Sequence, residues 1–414
     1  MTIISPEAVR QTLLTRGEIA IFDLRDEHVF AQGHPLFAAQ LPVERIVVEA
    51  AVRVPRKDTL VVLYDDGEGL VRRGAEAFDA LGYRDVRILQ NGEASGLQSW
   101  RDAGYELFQD VNSYSKAFGE LVEQRRHTPS LSADEVHALI EQSADIAILD
   151  ARRFDEYATM SIPTATSVPG AELVLRAPAL APDPGTTIIV NCAGRTRSLI
   201  GTQSLINAGL PNQVVALRNG TIGWTLAGKT LARGQQRRAP DTAADADQAR
   251  QRARDVSYRA GVAHIDGDIL DLLASEVTRT LYRFDVRTPE EYAAGHLPVF
   301  LSAPGGQLVQ ETDHWAPVRG ARIVLSDDIG TRADMTASWL AQMGWEVYVL
   351  DAPPGAVLES GGEPPYPARG PEGRYRRPYE GTAHAAEAMQ AYLDWEYGLV
   401  AQLARDGTHG FYVI

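Results

Sequence analysis

The sequence predicts an α/β protein of three tandem units, each a mainly parallel sheet flanked by helices, with a C-terminal helical tail. Three observations point there. The chain has 414 residues, about three domains' worth. One pattern occurs three times in register. Within each copy, short β-rich runs alternate with helix-length segments rather than with hairpin turns.

Each copy has the same order of elements. A short apolar run ends at Asp-x-Arg: Asp23 and Arg25, Asp150 and Arg152, Asp285 and Arg287. A second run ends at Asp65, Cys192 or Asp327. A helix-length segment follows, and Gly209 or its counterpart closes it. A third apolar run comes next: Val86–Leu89, Val214–Leu217 or Val347–Leu350. The first and second copies are offset by 127 at both Asp23/Asp150 and Asp65/Cys192. The second and third are offset by 135 at Asp150/Asp285, Cys192/Asp327, Arg197/Arg332 and Gly209/Gly344. Continuous apolar strands separated by helices imply parallel sheets covered on both faces.

These registers divide the chain into units at 1–125, 126–235 and 262–365. A polar, Ala- and Arg-rich linker with a helix lies at 236–261, and a loop and helix at 366–414. Residues 352–382 are rich in Pro and Gly and read as an extended loop. The segment 383–407 reads as a helix with apolar positions at Met389, Tyr392, Leu393, Tyr397, Leu399 and Leu403. The final run, Phe411-Tyr412-Val413-Ile414, either packs back on a domain or serves a subunit contact.

Composition narrows the function. A hydrophobic fraction of 44% excludes wholesale disorder, and no apolar run is long enough to span a membrane. The N-terminus has no signal-peptide pattern. A net charge of −15 gives no general reason to bind nucleic acid. Only three lysines occur, Lys57, Lys116 and Lys229. The single cysteine, Cys192, excludes an internal disulfide and a cysteine-rich metal site, and fits a reducing, cytoplasmic setting. The nine histidines show no metal-ligand spacing, and no phosphate-binding glycine signature occurs, so no metal or cofactor is expected.

The informative segment is Cys192-Ala193-Gly194-Arg195-Thr196-Arg197-Ser198, between a strand and a helix. Ligand sites in open α/β sheets lie at the carboxyl ends of strands. The free N–H groups of the following helix face the loop, and Gly194 lets successive amides converge. Arg195 and Arg197 add positive charge. The expectation is a lowered thiol pKa and an anion held beside the sulfur. Covalent catalysis on an anionic substrate suits such a site.

At these residues the chain resembles the rhodanese (sulfurtransferase) family, with three rhodanese-like domains over about 1–110, 128–235 and 262–360. The marks are the Asp-x-Arg pair, the stretch Glu291-Tyr292-Ala293-Ala294-Gly295-His296-Leu297-Pro298 and the cysteine loop. The first unit keeps Gly33-His34-Pro35, while the second has Met160 and Ser161 in place of Gly-His. The resemblance implies that Cys192 accepts a sulfane sulfur from thiosulfate or 3-mercaptopyruvate and passes it to cyanide or a thiol, a protein thiol among the candidates. It implies that the backbone of Ala193 to Arg197 cradles the sulfur and that Arg195 and Arg197 orient the donor. Thr196 and Ser198 complete the binding segment, and Asp150 and Arg152 are read as structural. Asp65 and Asp327 replace the cysteine, so the outer units are expected to be inactive, with Arg72, Arg73 and Arg332 neutralising those aspartates.

Two other readings compete. A cysteine phosphatase or arsenate reductase uses a longer loop, in which an arginine follows the cysteine after five residues; here that position is Ser198, and Arg197 stands one residue early. A scaffold or redox-sensing module would also use an activated thiol. His34 and His296 match in the repeat and read as structural; Trp100 and Trp224 read as core anchors.

Overall fold

The computed structural model describes residues 2–351, 355–362, 377 and 379–414. The extended loop expected at 352–382, and the 365/366 boundary within it, fall largely outside the described residues.

Each unit builds one sheet. The first contains β1 (Thr2–Ile4), β2 (Ile19–Asp23), β3 (Ala38–Gln40), β4 (Leu60–Tyr64), β5 (Val86–Asn91) and the short β6 (Ala94–Ser95). The second contains β7 (Ser130–Leu131), β8 (Ile146–Asp150), β9 (Thr166–Ser167), β10 (Thr187–Asn191) and β11 (Val214–Leu217). The third contains β12 (Ala263–Ile265), β13 (Leu281–Asp285), β14 (Leu301–Ser302), β15 (Arg322–Ser326) and β16 (Glu346–Leu350). Strand order repeats as β1-β5-β4-β2-β3, β7-β11-β10-β8-β9 and β12-β16-β15-β13-β14. Every pairing is parallel except β5 with β6.

Strands β4, β10 and β15 are central in their sheets. Helices cover both faces, which is why Ile188-Ile189-Val190 is apolar at consecutive positions and fully buried. These are the strands that end at Asp65, Cys192 and Asp327. The chemistry-bearing residue of each unit therefore leaves the central strand of its sheet.

The Asp-x-Arg pairs brace each sheet in the same way. Arg25, Arg152 and Arg287 each fork onto the aspartate two residues back. Each also donates to the carbonyl eight residues on, at Gly33, Met160 and Gly295. The contact uses a backbone oxygen, so Met160 serves as well as glycine. Since the geometry is the same with or without a cysteine, it belongs to the fold.

His34 stacks on Phe30, and its two ring nitrogens meet the Pro35 and Asp110 carbonyls. His296 stacks on Tyr292 and meets that residue's carbonyl. Trp100 and Trp224 are buried, and each indole N–H reaches a carbonyl six residues on, at Glu106 and Thr230.

The segments outside the repeats hold the units together. Helix Ala246–Arg259 lies within the expected linker but is not loose. Ala253 and Val256 are buried with the core of the second unit and with Met335 of the third. The first and third units share one core, in which Phe22, Tyr282 and Phe284 take part. The C-terminal run packs back on the chain: Phe411 sits edge-on to Phe37 and Phe118, and the Ile414 amide donates to Gln342.

Candidate active site at the cysteine loop

Cys192 follows β10 directly, and helix Thr196–Asn207 begins four residues later. The first residues of that helix have no side-chain cap. Among the described residues, no backbone oxygen accepts from the amides of Gly194, Arg195, Thr196 or Arg197. These donors remain free to hold an anion.

The outer units show where such amides point. Asp65 accepts from the amides of Gly67, Leu70 and Val71 at 3.1, 2.6 and 3.3 Å. Asp327 accepts from those of Ile329, Arg332 and Ala333 at 3.4, 2.7 and 3.3 Å. In both units these are the second, fifth and sixth residues after the aspartate. The equivalent residues of the middle unit are Gly194, Arg197 and Ser198. Two loops thus gather the same three amides around a carboxylate. The middle loop carries its three at the equivalent positions and sets the cysteine where the carboxylates stand.

A glycine fixes this loop from below. Gly220 has φ +54°, and a Cβ there would lie 2.3 Å from the Cys192 carbonyl oxygen. Gly96 stands in the same relation to Asp65. Only glycine fits so close to backbone at positive φ. The amide of Thr221 then donates to the Cys192 carbonyl at 2.9 Å.

Cys192 is buried, with 2% of its surface exposed, and its thiol donates to Ser198 Oγ at 3.4 Å. Burial pushes the thiol pKa up. Arg197 and Ser198 pull it down, Glu396 adds to the rise, and the net direction is upward. The lowered pKa expected from sequence is therefore corrected. The loop's dipoles and arginine are present, but in the resting structure desolvation outweighs them.

The two arginines part company. Arg197 stays beside the sulfur and pairs with Glu156 at 2.6 and 3.0 Å. Burial pushes Glu156 up, but Arg197, with help from Arg152 and Arg153, draws it down to about 2. Arg195 turns the other way. Its donors go to Glu120 at 2.7 and 2.8 Å, to Glu123, to Asn219 at 3.1 Å and to the Tyr397 hydroxyl at 2.8 Å. Its guanidinium is thereby fully engaged in a tie between units. The expected neutralisation of both aspartates holds in part. Arg332 pairs with Asp327, whereas Arg73 pairs with Glu44 and Asp65 relies on amides.

Two segments roof the loop. Helix Ser113–Arg126 crosses helix Thr196–Asn207 at Gly119, where a Cβ would come within 2.9 Å of Thr196 Cγ2. Helix Ala385–Asp406 brings Tyr392 and Glu396 over Gly194, with Glu396 Oε2 3.2 Å from the position a Cβ would take. Glu396 is 2% exposed, and its Oε2 has no hydrogen-bond partner among the described residues. Lys116 pairs with Asp110 at 2.8 Å, which Arg377 also meets at 3.0 Å. Burial drives the Lys116 ammonium down to about 8, with Arg377 adding to the fall. Sequence reasoning missed Glu120, Glu156 and Glu396. A signal existed for Glu396: it shares the spacing of Tyr392, Leu399 and Leu403, the buried face of its helix.

A parallel-sheet domain whose central strand delivers a cysteine into an amide cradle is built for covalent chemistry on sulfur. The comparisons identify it. The rhodanese-like domain model matches residues 5–101, 132–227 and 268–352. The chain belongs to the rhodanese (sulfurtransferase) family, with three such domains in tandem and a cysteine in the middle one only. It is similar to the crystal structure of a thiosulfate sulfurtransferase from Pseudomonas aeruginosa, with 48% identity, all of both chains covered and a TM-score of 0.92. More distant matches include the BH2092 protein from Bacillus halodurans, at 18% identity over 27% of this chain and 81% of that one, TM-score 0.24. Wild-type EanB matches at 16% identity over 87% and 98%, TM-score 0.26. Comparison with curated proteins returned no match. Among the described residues, no helix is long and apolar enough to cross a membrane.

Proposed function

We propose that this protein carries a sulfane sulfur on Cys192, from thiosulfate to cyanide or an external thiol. The observation that carries the reading is the position of Cys192: it stands where two sister loops gather amides around a carboxylate. The relative described as a thiosulfate sulfurtransferase favours the same donor.

In the first half-reaction the Cys192 thiolate attacks the outer sulfur of thiosulfate. The donor's S–S bond breaks, and sulfite leaves with the electron pair. The persulfide's terminal charge falls to the amides of Gly194, Arg197 and Ser198, in a cradle that Ala193, Arg195 and Thr196 complete with backbone alone. Arg197 stabilises the thiolate and the bound anion. In the second half-reaction cyanide or a thiolate attacks the terminal sulfur and releases Cys192 as thiolate. No second cysteine exists to resolve the persulfide, so the acceptor is external and the kinetics are ping-pong. Asp150 and Arg152 brace the strand ends.

The first and third domains (1–125 and 262–365 in this division) carry no sulfur, and their aspartates repel an anionic donor. The single cysteine is consistent with a cytoplasmic setting. Intact mass after thiosulfate tests the reading. One added sulfur on wild type, absent from Cys192→Ala and removed by cyanide, is expected. No gain with thiosulfate or mercaptopyruvate would overturn it.

A further inference from the structure

A second cavity, of about 300 Å³, opens where the first domain, the third domain and the C-terminal tail meet. Its wall includes Arg16, Arg319 and His409, together with Gly320, Arg279 and Glu346. Its polar character is one-sided. Glu346 is occupied by Arg279, Arg322 and the Tyr348 hydroxyl. Arg279 is likewise neutralised by Glu346 and Glu18. Arg16 and Arg319 form no ion pair among the described residues.

Arg319 lies between two rings, 4.1 Å from the centre of Phe37 and 4.4 Å from that of Trp345. Its Nη2 donates to the Met343 carbonyl at 3.3 Å, and the other guanidinium donors have no partner among the described residues. Burial holds its pKa down to about 10, with Tyr114 opposing and Arg16 adding slightly to the fall. Arg16 has φ +56°, an unusual conformation for a side-chain-bearing residue. Gly320 permits this turn to lie on the third domain: a Cβ there would meet the Arg16 and Gly17 carbonyls at 2.8 Å. Arg16 Nη2 in turn lies 4.0 Å from the Cβ position of Gly410. His409 Nδ1 accepts from the Phe411 amide at 2.8 Å, so in the neutral ring Nε2 carries the proton and is a donor.

We infer that this cavity is a binding site for a tetrahedral oxyanion, phosphate or sulfate, free or as the ester of a small molecule. Two guanidiniums without ion pairs and an imidazole line one space, and a dianion supplies the acceptors and the charge they lack. The cavity is at the lower end of the range for small-molecule sites, large enough for a short ester. The site is separate from Cys192 and does not depend on sulfur transfer.

Calorimetric titration of the full-length Cys192→Ala variant with phosphate, sulfate and glycerol phosphate, at constant ionic strength in chloride, tests this. Saturable binding of one anion per chain is expected, weakened at least ten-fold in Cys192→Ala/Arg16→Ala. Arg16 is exposed, so its loss leaves folding intact, unlike a change at the ring-stacked Arg319. Tighter binding of glycerol phosphate identifies an ester as the ligand; tighter binding of the free ions identifies the inorganic anion. No saturable heat, or a loss of less than ten-fold in the Arg16 variant, overturns the inference, the latter by placing the anion elsewhere, in the cysteine cradle first of all.

Discussion

At Cys192 the opposing influences are a dry environment and a nearby cation. Burial raises the thiol pKa, and Arg197 and Ser198 oppose it. Alkylation of resting enzyme should therefore accelerate with pH, with a midpoint above that of an ordinary cysteine. Arg197→Met should move that midpoint higher and lower kcat/KM for thiosulfate by about 10²-fold, the usual cost of losing one stabilising donor. An unchanged midpoint by iodoacetamide kinetics would remove Arg197 from the role. Sequence marked both Arg195 and Arg197 as donor ligands. Arg195 caps the helix with non-helical backbone and Arg197 is its second residue, so the two side chains leave the chain in unrelated directions. Which of the two faced inward depended on Glu120 and Glu156, carboxylates 75 and 41 residues away. The thiol's own titration was misjudged for a related reason: dipoles and charges are visible in a loop's sequence, whereas dryness is set by what covers it.

At the scale of the strand–loop–helix element, the three copies act as one another's controls. An aspartate in the first and third loops accepts three amides. Cys192→Asp should thus be inactive yet more stable than Cys192→Ala, by about 1–3 kcal/mol if charged hydrogen bonds have their usual worth. Thermal or urea unfolding of the two variants decides it, and an equal or lower stability for Cys192→Asp would count against a shared cradle. Gly220→Ala should drive a Cβ into the Cys192 carbonyl and cost more than about 2 kcal/mol, with sulfur loading lost at least ten-fold. Intact-mass loading after thiosulfate would register it. This element was the most legible part of the chain. Short apolar runs, a glycine closing each helix and a constant offset are local properties, and three copies made them unmistakable.

Across the whole molecule, the site belongs to more than one domain. Arg195 is held by Glu120 and Tyr397, which lie outside the segments matched as rhodanese-like. Burial raises Glu120 to about 7 despite Arg195. A carboxyl with a raised folded pKa contributes stability that is complete below about 4.5 and is lost as pH rises through 7. Glu120→Gln should flatten that part of the stability–pH curve; a slope equal to wild type, by urea unfolding from pH 4 to 8, would refute the assignment. These contacts were hidden from sequence because they join segments that do not repeat. Apolar spacing revealed the C-terminal helix but not what its buried face would meet.

The roof over Cys192 also imposes an order in time. Helix Ala385–Asp406 begins 193 residues after the cysteine. A ribosome adding about 5–20 residues per second needs roughly ten to forty seconds to cover that distance. During that interval the growing chain carries its only thiol under one of its two covering helices. The shelter of Cys192 is thus completed only as synthesis ends.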